Sequence, residues 1–285
     1  LIVVATALLC VADAGTAAAA LPSIVWPVYP AIAAVGIPAP SSDDQAVVAA
    51  RVNQATQAVL PTAQVSFMVF DRINGTVLTS QDADRQVASM SVVKLLIALD
   101  LLAGDPGTQQ GAAQRELHQM LASSDDQIAN ELWAAGGGPA IVTRMVSLLG
   151  LTGTQPPRDP GQWGDTLITP QDVVTIYRYI TEHLPDPGQD LVLGALADSP
   201  EIAADGFDQH FGIPDGMPRT SWAIKQGWGT SGARAVMNST GLVGPQWRYV
   251  VVMLASAPAN SYARLPAALT AGAAELASLV SPAAW

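Results

Sequence analysis

A chain of 285 residues, 49% apolar and only 13% charged, can bury one large core or two small ones, and no internal repeat forces a division. Its formal charge of −11, with no basic stripe, excludes phosphate-backbone binding and therefore nucleic acid. The same acidity disfavours docking on anionic membranes through charge.

Residues 1–20, LIVVATALLCVADAGTAAAA, are an apolar run ending in small residues, with A-x-A matches in VADA and AAAA. This pattern predicts a secretory signal with its cleavage zone, and hence a secreted or cell-envelope protein. A basic n-region and an initiator Met are missing, so the start is expected to be truncated. A retained membrane anchor is the alternative, and it is the only membrane association expected. The single cysteine, Cys10, lies in this run, which leaves the rest without disulfide or thiolate–metal chemistry. Residues 21–42, with five prolines and no charge, read as an extended linker. One folded domain is expected over 43–285.

That domain opens near Asp43, where SSDD caps a helix through QAVVAARVNQATQAVL. AQVSFMVFDRINGTVL alternates and turns at Asn74-Gly75, which predicts a hairpin. SMSVVKLLIALDLL, residues 89–102, is apolar for too long to be a strand and suits a buried helix. Residues 111–150 read as helical with a break at the glycines 136–138, and 151–168 as a long loop. Thr169 with Pro170 starts another helix. Strands follow in SWAIKQGW, ARAVMNSTGLV and WRYVVVMLAS, closed by a helix from about Arg264 to Leu279. The fold class is α+β: a sheet built from both ends of the domain, with the central helices as a second lobe.

Positive charge is carried by eleven arginines and only two lysines, Lys94 and Lys225, and both lysines sit in apolar stretches. On a helix, Ser91 and Lys94 share a face. A serine hydroxyl needs a base within hydrogen-bond reach, and a buried lysine can give up its proton to become one. Arginine cannot, because it stays charged at any usable pH. Ser-x-x-Lys alone is also compatible with a snorkelling lysine.

Two further segments extend the pattern. Ser124-Asp125-Asp126 resembles the S-D-N element, and Lys225-Gln226-Gly227 the K-T-G element, of penicillin-recognising serine enzymes. With the order and spacing of the three elements, residues 43–285 resemble the serine β-lactamase and D,D-peptidase superfamily, closest in size to class A β-lactamases. The resemblance implies an antiparallel sheet packed with helices plus a helical lobe, and no cofactor. Ser91 is then the acylated nucleophile, its N–H and that of Trp228 forming the oxyanion hole. Lys94 then accepts the serine proton or orients its hydroxyl, Ser124 relays a proton toward the leaving nitrogen, and Lys225 attracts a substrate carboxylate, helped by Gln226. Gly227 lets the backbone approach an extended substrate. The implied partner is a peptidoglycan stem peptide or a β-lactam-like small molecule.

Three departures from the family pattern stand out. Asp126 replaces an asparagine, and a carboxylate there favours the charged form of Lys94. Gln226 replaces a threonine. The loop PPRDPGQWGDTLITP is shorter than its class A counterpart and lacks the glutamate and asparagine that hold the deacylating water; Arg158 and Asp165 are placed to pair across its neck, and Gln162 or Asp159 to hold a water instead. Acylation followed by slow hydrolysis is the expectation, with a non-catalytic or covalently trapping wall-binding module on the same fold as the alternative. His118, His183 and His210 match no ligand spacing, so no metal is expected. The glycines 136–138 are a helix break, and Glu182 belongs to a solvated helix face. Trp222 suits either groove or core, and Asn238 is expected to satisfy backbone groups at a turn.

Overall fold

The computed structural model describes residues 41–104 and 111–280. The signal expected over 1–20 and most of the linker expected over 21–42 lie outside these residues. Helix α1, Ser42–Val59, starts at Ser41, whose side chain accepts from Asp44 N. Strands β1, Gln64–Asp71, and β2, Thr76–Gln81, form the hairpin, and Gly75 supplies the left-handed turn residue at φ 65°. Asp71 fixes this turn by accepting from Ile73 N and Asn74 N, while Arg248 grips both of its oxygens, Nη2 to Oδ2 being 2.6 Å.

A two-residue strand β3, Val87–Ala88, leads into a 3-10 turn, Met90–Val93, and then helix α2, Lys94–Gly104. Lys94 to Leu99 are buried without a break, and Leu102 with them, as expected of a helix start apolar on every face. The next helices are α3, Gly111–Ala122, α4, Asp126–Ala135, and α5, Pro139–Leu149, and the glycines 136–138 separate the last two as anticipated. Residues 151–168 are not wholly loop. Trp163–Asp165 makes a 3-10 turn, and β4, Leu167–Ile168, pairs antiparallel with β3, which ties this segment to the one that precedes Ser91.

Helix α6, Pro170–Glu182, opens on the expected Thr169 cap. Helices α7, Asp186–Ala197, and α8, Ile213–Gly216, were not anticipated from the sequence. Strands β5, Trp222–Ser231, β6, Arg234–Val243, and β7, Tyr249–Pro258, follow. The single closing helix expected over 264–279 is instead two, α9, Leu265–Ala274, and α10, Ala277–Val280. Among the described residues no single helix is long and apolar enough to cross a membrane.

The sheet is antiparallel with order β2-β1-β7-β6-β5, so both ends of the domain build it. Alternation along β7 divides the core. Val250, Val252 and Leu254 face the cluster formed with α2 to α7, whereas Val251, Met253 and Ala255 face α1 and α9. A one-residue slip would swap the two sets, so the register is strongly determined. Strand β5 is one edge of the sheet, and α7 and the Met90–Val93 turn pack against it.

Candidate active site

The 3-10 turn places Ser91 one turn before Lys94 at the head of α2. Lys94 Nζ lies 3.0 Å from Ser91 Oγ, 3.1 Å from Ser124 Oγ, 2.7 Å from Ser124 O and 2.5 Å from Asp126 Oδ1. Ser124 links the two lysines, because Lys225 Nζ donates to the same hydroxyl at 2.9 Å. Both amines are out of water, Lys94 at 0% exposure and Lys225 at 1%.

Burial pushes the Lys94 ammonium below the ordinary lysine range, and Asp126, the largest opposing influence, only partly offsets this. Lys225 is lowered further, by burial and then by the charge of Lys94. The ring of Trp163 lies 5.0 Å from Lys94 Nζ and, like Asp126, favours the charged form.

Backbone geometry aims these groups. Ser124 has φ 58°, a left-handed conformation unusual for a residue with a Cβ, and it turns both carbonyl and hydroxyl toward Lys94. Asp125 holds the turn as N-cap of α4, accepting from Gln127 N and Ile128 N. Asp126 is then the first helical residue, its side chain 58% exposed and open to the cleft. Met90 is likewise left-handed, at φ 47°, immediately before Ser91.

Lys225, Gly227 and Gly229 of β5 face this turn. A Cβ on Gly227 would meet Ser89 O at 2.7 Å and Ser91 N at 3.1 Å, and one on Gly229 would meet Met90 Sδ at 2.7 Å. From the neighbouring strand, Asn238 donates to Ala88 O and Ser89 O, so it fastens the segment entering the turn that carries Ser91.

A cleft of about 560 Å³ opens over Ser91. Ser91, Asp126 and Trp228 line it, while Lys94, Ser124 and Lys225 are buried behind them. Gln226 does not line it. Strand alternation turns that side chain to the opposite face, where Nε2 donates to Gln209 O and Phe211 O and Oε1 accepts from Thr240 N. Arg158 and Asp165 form no ion pair; Arg158 is exposed, and Asp165 lines the cleft. Asp159 closes on its own turn, accepting from Gly161 N, whereas Gln162 lines the cleft. Trp222 packs edge-on to His210.

Sequence reasoning missed Trp163, Asn130, Asp205 and Tyr262, which also line the cleft. Trp163 Nε1 donates to Asn130 Oδ1 at 2.7 Å and so ties the 161–165 segment to α4. Asn130 was within reach of inference, since it stands four residues after Asp126 on one helix face. Asp205, bonded to Trp228 Nε1 at 2.9 Å, comes from a distant loop and carries no sequence signal. No group of three His, Cys, Asp or Glu is placed to hold a metal among the described residues.

No protein-family model matches the chain. A Mycobacterium tuberculosis protein named "Putative lipoprotein LppW" is 36% identical over 218 residues, 74% of this chain and 69% of that protein. Among solved structures, a β-lactamase from Desulfarculus baarsii aligns with TM-score 0.65 and 20% identity over 84% of this chain and 99% of its own. A mutant of PBP-A, solved as an acyl-enzyme complex with penicillin G, aligns with TM-score 0.63 and 18% identity over 81% of this chain and 96% of its own.

Proposed function

The chain belongs to the family of the mycobacterial LppW proteins and has the fold of the serine β-lactamase and penicillin-recognising superfamily; from that premise we propose that it is a serine acyl-enzyme of the cell envelope, acylated on Ser91 by a β-lactam, a D-Ala-D-Ala-type peptide or a related amide or ester. The observation that carries the reading is the chain of contacts from Ser91 Oγ through Lys94 Nζ to Ser124 Oγ and Lys225 Nζ, each 2.9–3.1 Å.

The hydrogen bonds around Lys94 are compatible with a base there. Ser124 O and Asp126 Oδ1 only accept, so they take two N–H bonds of the amine. A neutral amine then has a lone pair left for the Ser91 hydroxyl. In acylation the Ser91 Oγ–carbonyl carbon bond forms as the serine proton passes to Lys94. The C–N or C–O bond of the substrate then breaks as the Ser124 hydroxyl gives its proton to the leaving atom and takes in its place the proton held by Lys94, 3.1 Å away. The N–H groups of Ser91 and Trp228 are the proposed oxyanion donors.

Hydrolysis is expected to be slow. The segment facing Ser91 offers Gln162 and Asp165 in place of a glutamate. A second reading, a binding module on the same fold, is favoured by one observation: the 2.5 Å contact from Asp126 stabilises the ammonium and opposes proton uptake. The relative's description as a lipoprotein and the apolar, alanine-rich residues 1–20 both support an envelope location.

Fluorescent penicillin distinguishes the two readings. The acyl-enzyme reading expects labelling that disappears in Ser91→Ala, and labelling that survives this substitution would overturn it.

A further inference from the structure

Arg85 lies just before β3 and Arg234 opens β6; neither lines the cleft. Arg85 Nη2 donates to Gln64 Oε1 at 3.0 Å and to Ser256 Oγ at 3.1 Å. Arg234 Nη2 donates to the same Gln64 Oε1 at 2.9 Å and the same Ser256 Oγ at 2.8 Å. Two guanidinium groups thus converge on two neutral oxygens. Among the described residues no carboxylate lies within ion-pair distance of either.

The sheet enforces this convergence. Gln64 and Ser256 are directly opposite each other on β1 and β7, and Arg234 pairs with Pro258 on the far side of β7. Ser256 is 6% exposed, and accepting from both arginines engages both of its lone pairs, so its O–H is a further donor at the same spot. Both arginines are half-buried. Burial lowers the Arg85 pKa, and the charge of Arg234 lowers it more than nearby Asp82 raises it. A guanidinium does not give up its proton at usable pH, so this repulsion cannot be relieved by deprotonation. An anion relieves it. Two adjacent forked cations match the charge and oxygen geometry of a phosphate dianion, whereas a carboxylate neutralises only one of them.

We propose that Arg85 and Arg234, with the Ser256 hydroxyl, form a phosphate site separate from the catalytic cleft, taking inorganic phosphate or a phosphomonoester group. The test titrates the purified protein with inorganic phosphate and with methyl phosphate at constant ionic strength, with acetate as the monoanion control, by calorimetry and thermal melting. Saturable binding with a rise in Tm is expected, weakened at least tenfold in Arg85→Gln and in Arg234→Gln, with acetate markedly weaker. Methyl phosphate binding as well as inorganic phosphate marks a monoester site; inorganic phosphate alone marks a site for the free anion. Should either glutamine variant fail to fold, Arg85→Lys and Arg234→Lys keep the charge, lose the fork and are expected to bind several-fold more weakly. Absence of saturable binding by both phosphates, or wild-type affinity in the folded variants, overturns the proposal.

Discussion

Lys94 and Asp126 form a 2.5 Å ion pair whose halves sit in different media: the amine is fully buried, and the carboxylate is 58% exposed at the cleft wall. Burial drives the lysine toward its neutral form, and the carboxylate draws it back. In the proposed mechanism the balance between them sets how readily Ser91 is activated.

Replacing Asp126 by Asn removes the attraction and keeps an acceptor oxygen for the amine. The Lys94 pKa is expected to fall further, so the acid limb of the acylation–pH profile moves to lower pH. On that limb the rate follows the neutral fraction of the amine, so a limb displaced by one pH unit gives up to about tenfold faster acylation at a fixed pH. Stopped-flow acylation from pH 5 to 9 measures this. An unmoved limb in the variant means that Asp126 does not govern the base.

At Lys94 itself, charge is predicted to be insufficient. Arginine cannot accept the serine proton, so Lys94→Arg is expected to lose acylation nearly as fully as Lys94→Ala, on the order of 100-fold or more. Normal acylation by the Arg variant excludes a proton-accepting role.

Lys225 predicts opposite changes in stability and activity. Its amine has a pKa well below the ordinary value of 10.5 because it is dry and faces Lys94. Below 10.5 the unfolded chain binds more protons at this position than the folded one. The Lys225 contribution to stability is therefore full above 10.5 and is lost as pH falls toward the folded value. Lys225→Met is expected to raise stability at pH 7 by about 1–3 kcal/mol and to flatten the rise with pH, while acylation falls. Denaturant melts at pH 7 and 9.5 read both effects. A variant less stable than wild type at pH 7 contradicts this account of the buried amine.

Gly227 tests the packing of β5 against the turn that carries Ser91. An added methyl meets the Ser89 carbonyl at 2.7 Å, and that contact is backbone, which cannot swing aside. Gly227→Ala is expected to cost about 1–3 kcal/mol by overpacking and to slow acylation by displacing Ser91. Unchanged acylation in this variant would mean that the turn tolerates movement.

The parts of this arrangement legible in the sequence are those where chemistry is scarce. Two lysines among eleven arginines, each in an apolar stretch, pointed to the site before any geometry, and both amines lie on Ser124. The hairpin at Asn74-Gly75 and the Thr169-Pro170 start were legible because turns and caps are local. Helix α7 was overlooked, since a mixed segment with two early prolines has weak periodicity. The β3–β4 pair is only two residues long and depends on a partner about eighty positions away. Asp205 and Trp163 reach the cleft by tertiary folding alone, and Gln226 turned away from it because strand alternation opposes it to Lys225.

The most direct measurement is the mass and location of the adduct formed when the protein is incubated with penicillin and digested. One penicilloyl group is expected on the peptide spanning residues 86–94, attached at Ser91 and persisting for hours. An adduct on any other peptide, or no adduct at saturating drug, contradicts acylation at Ser91.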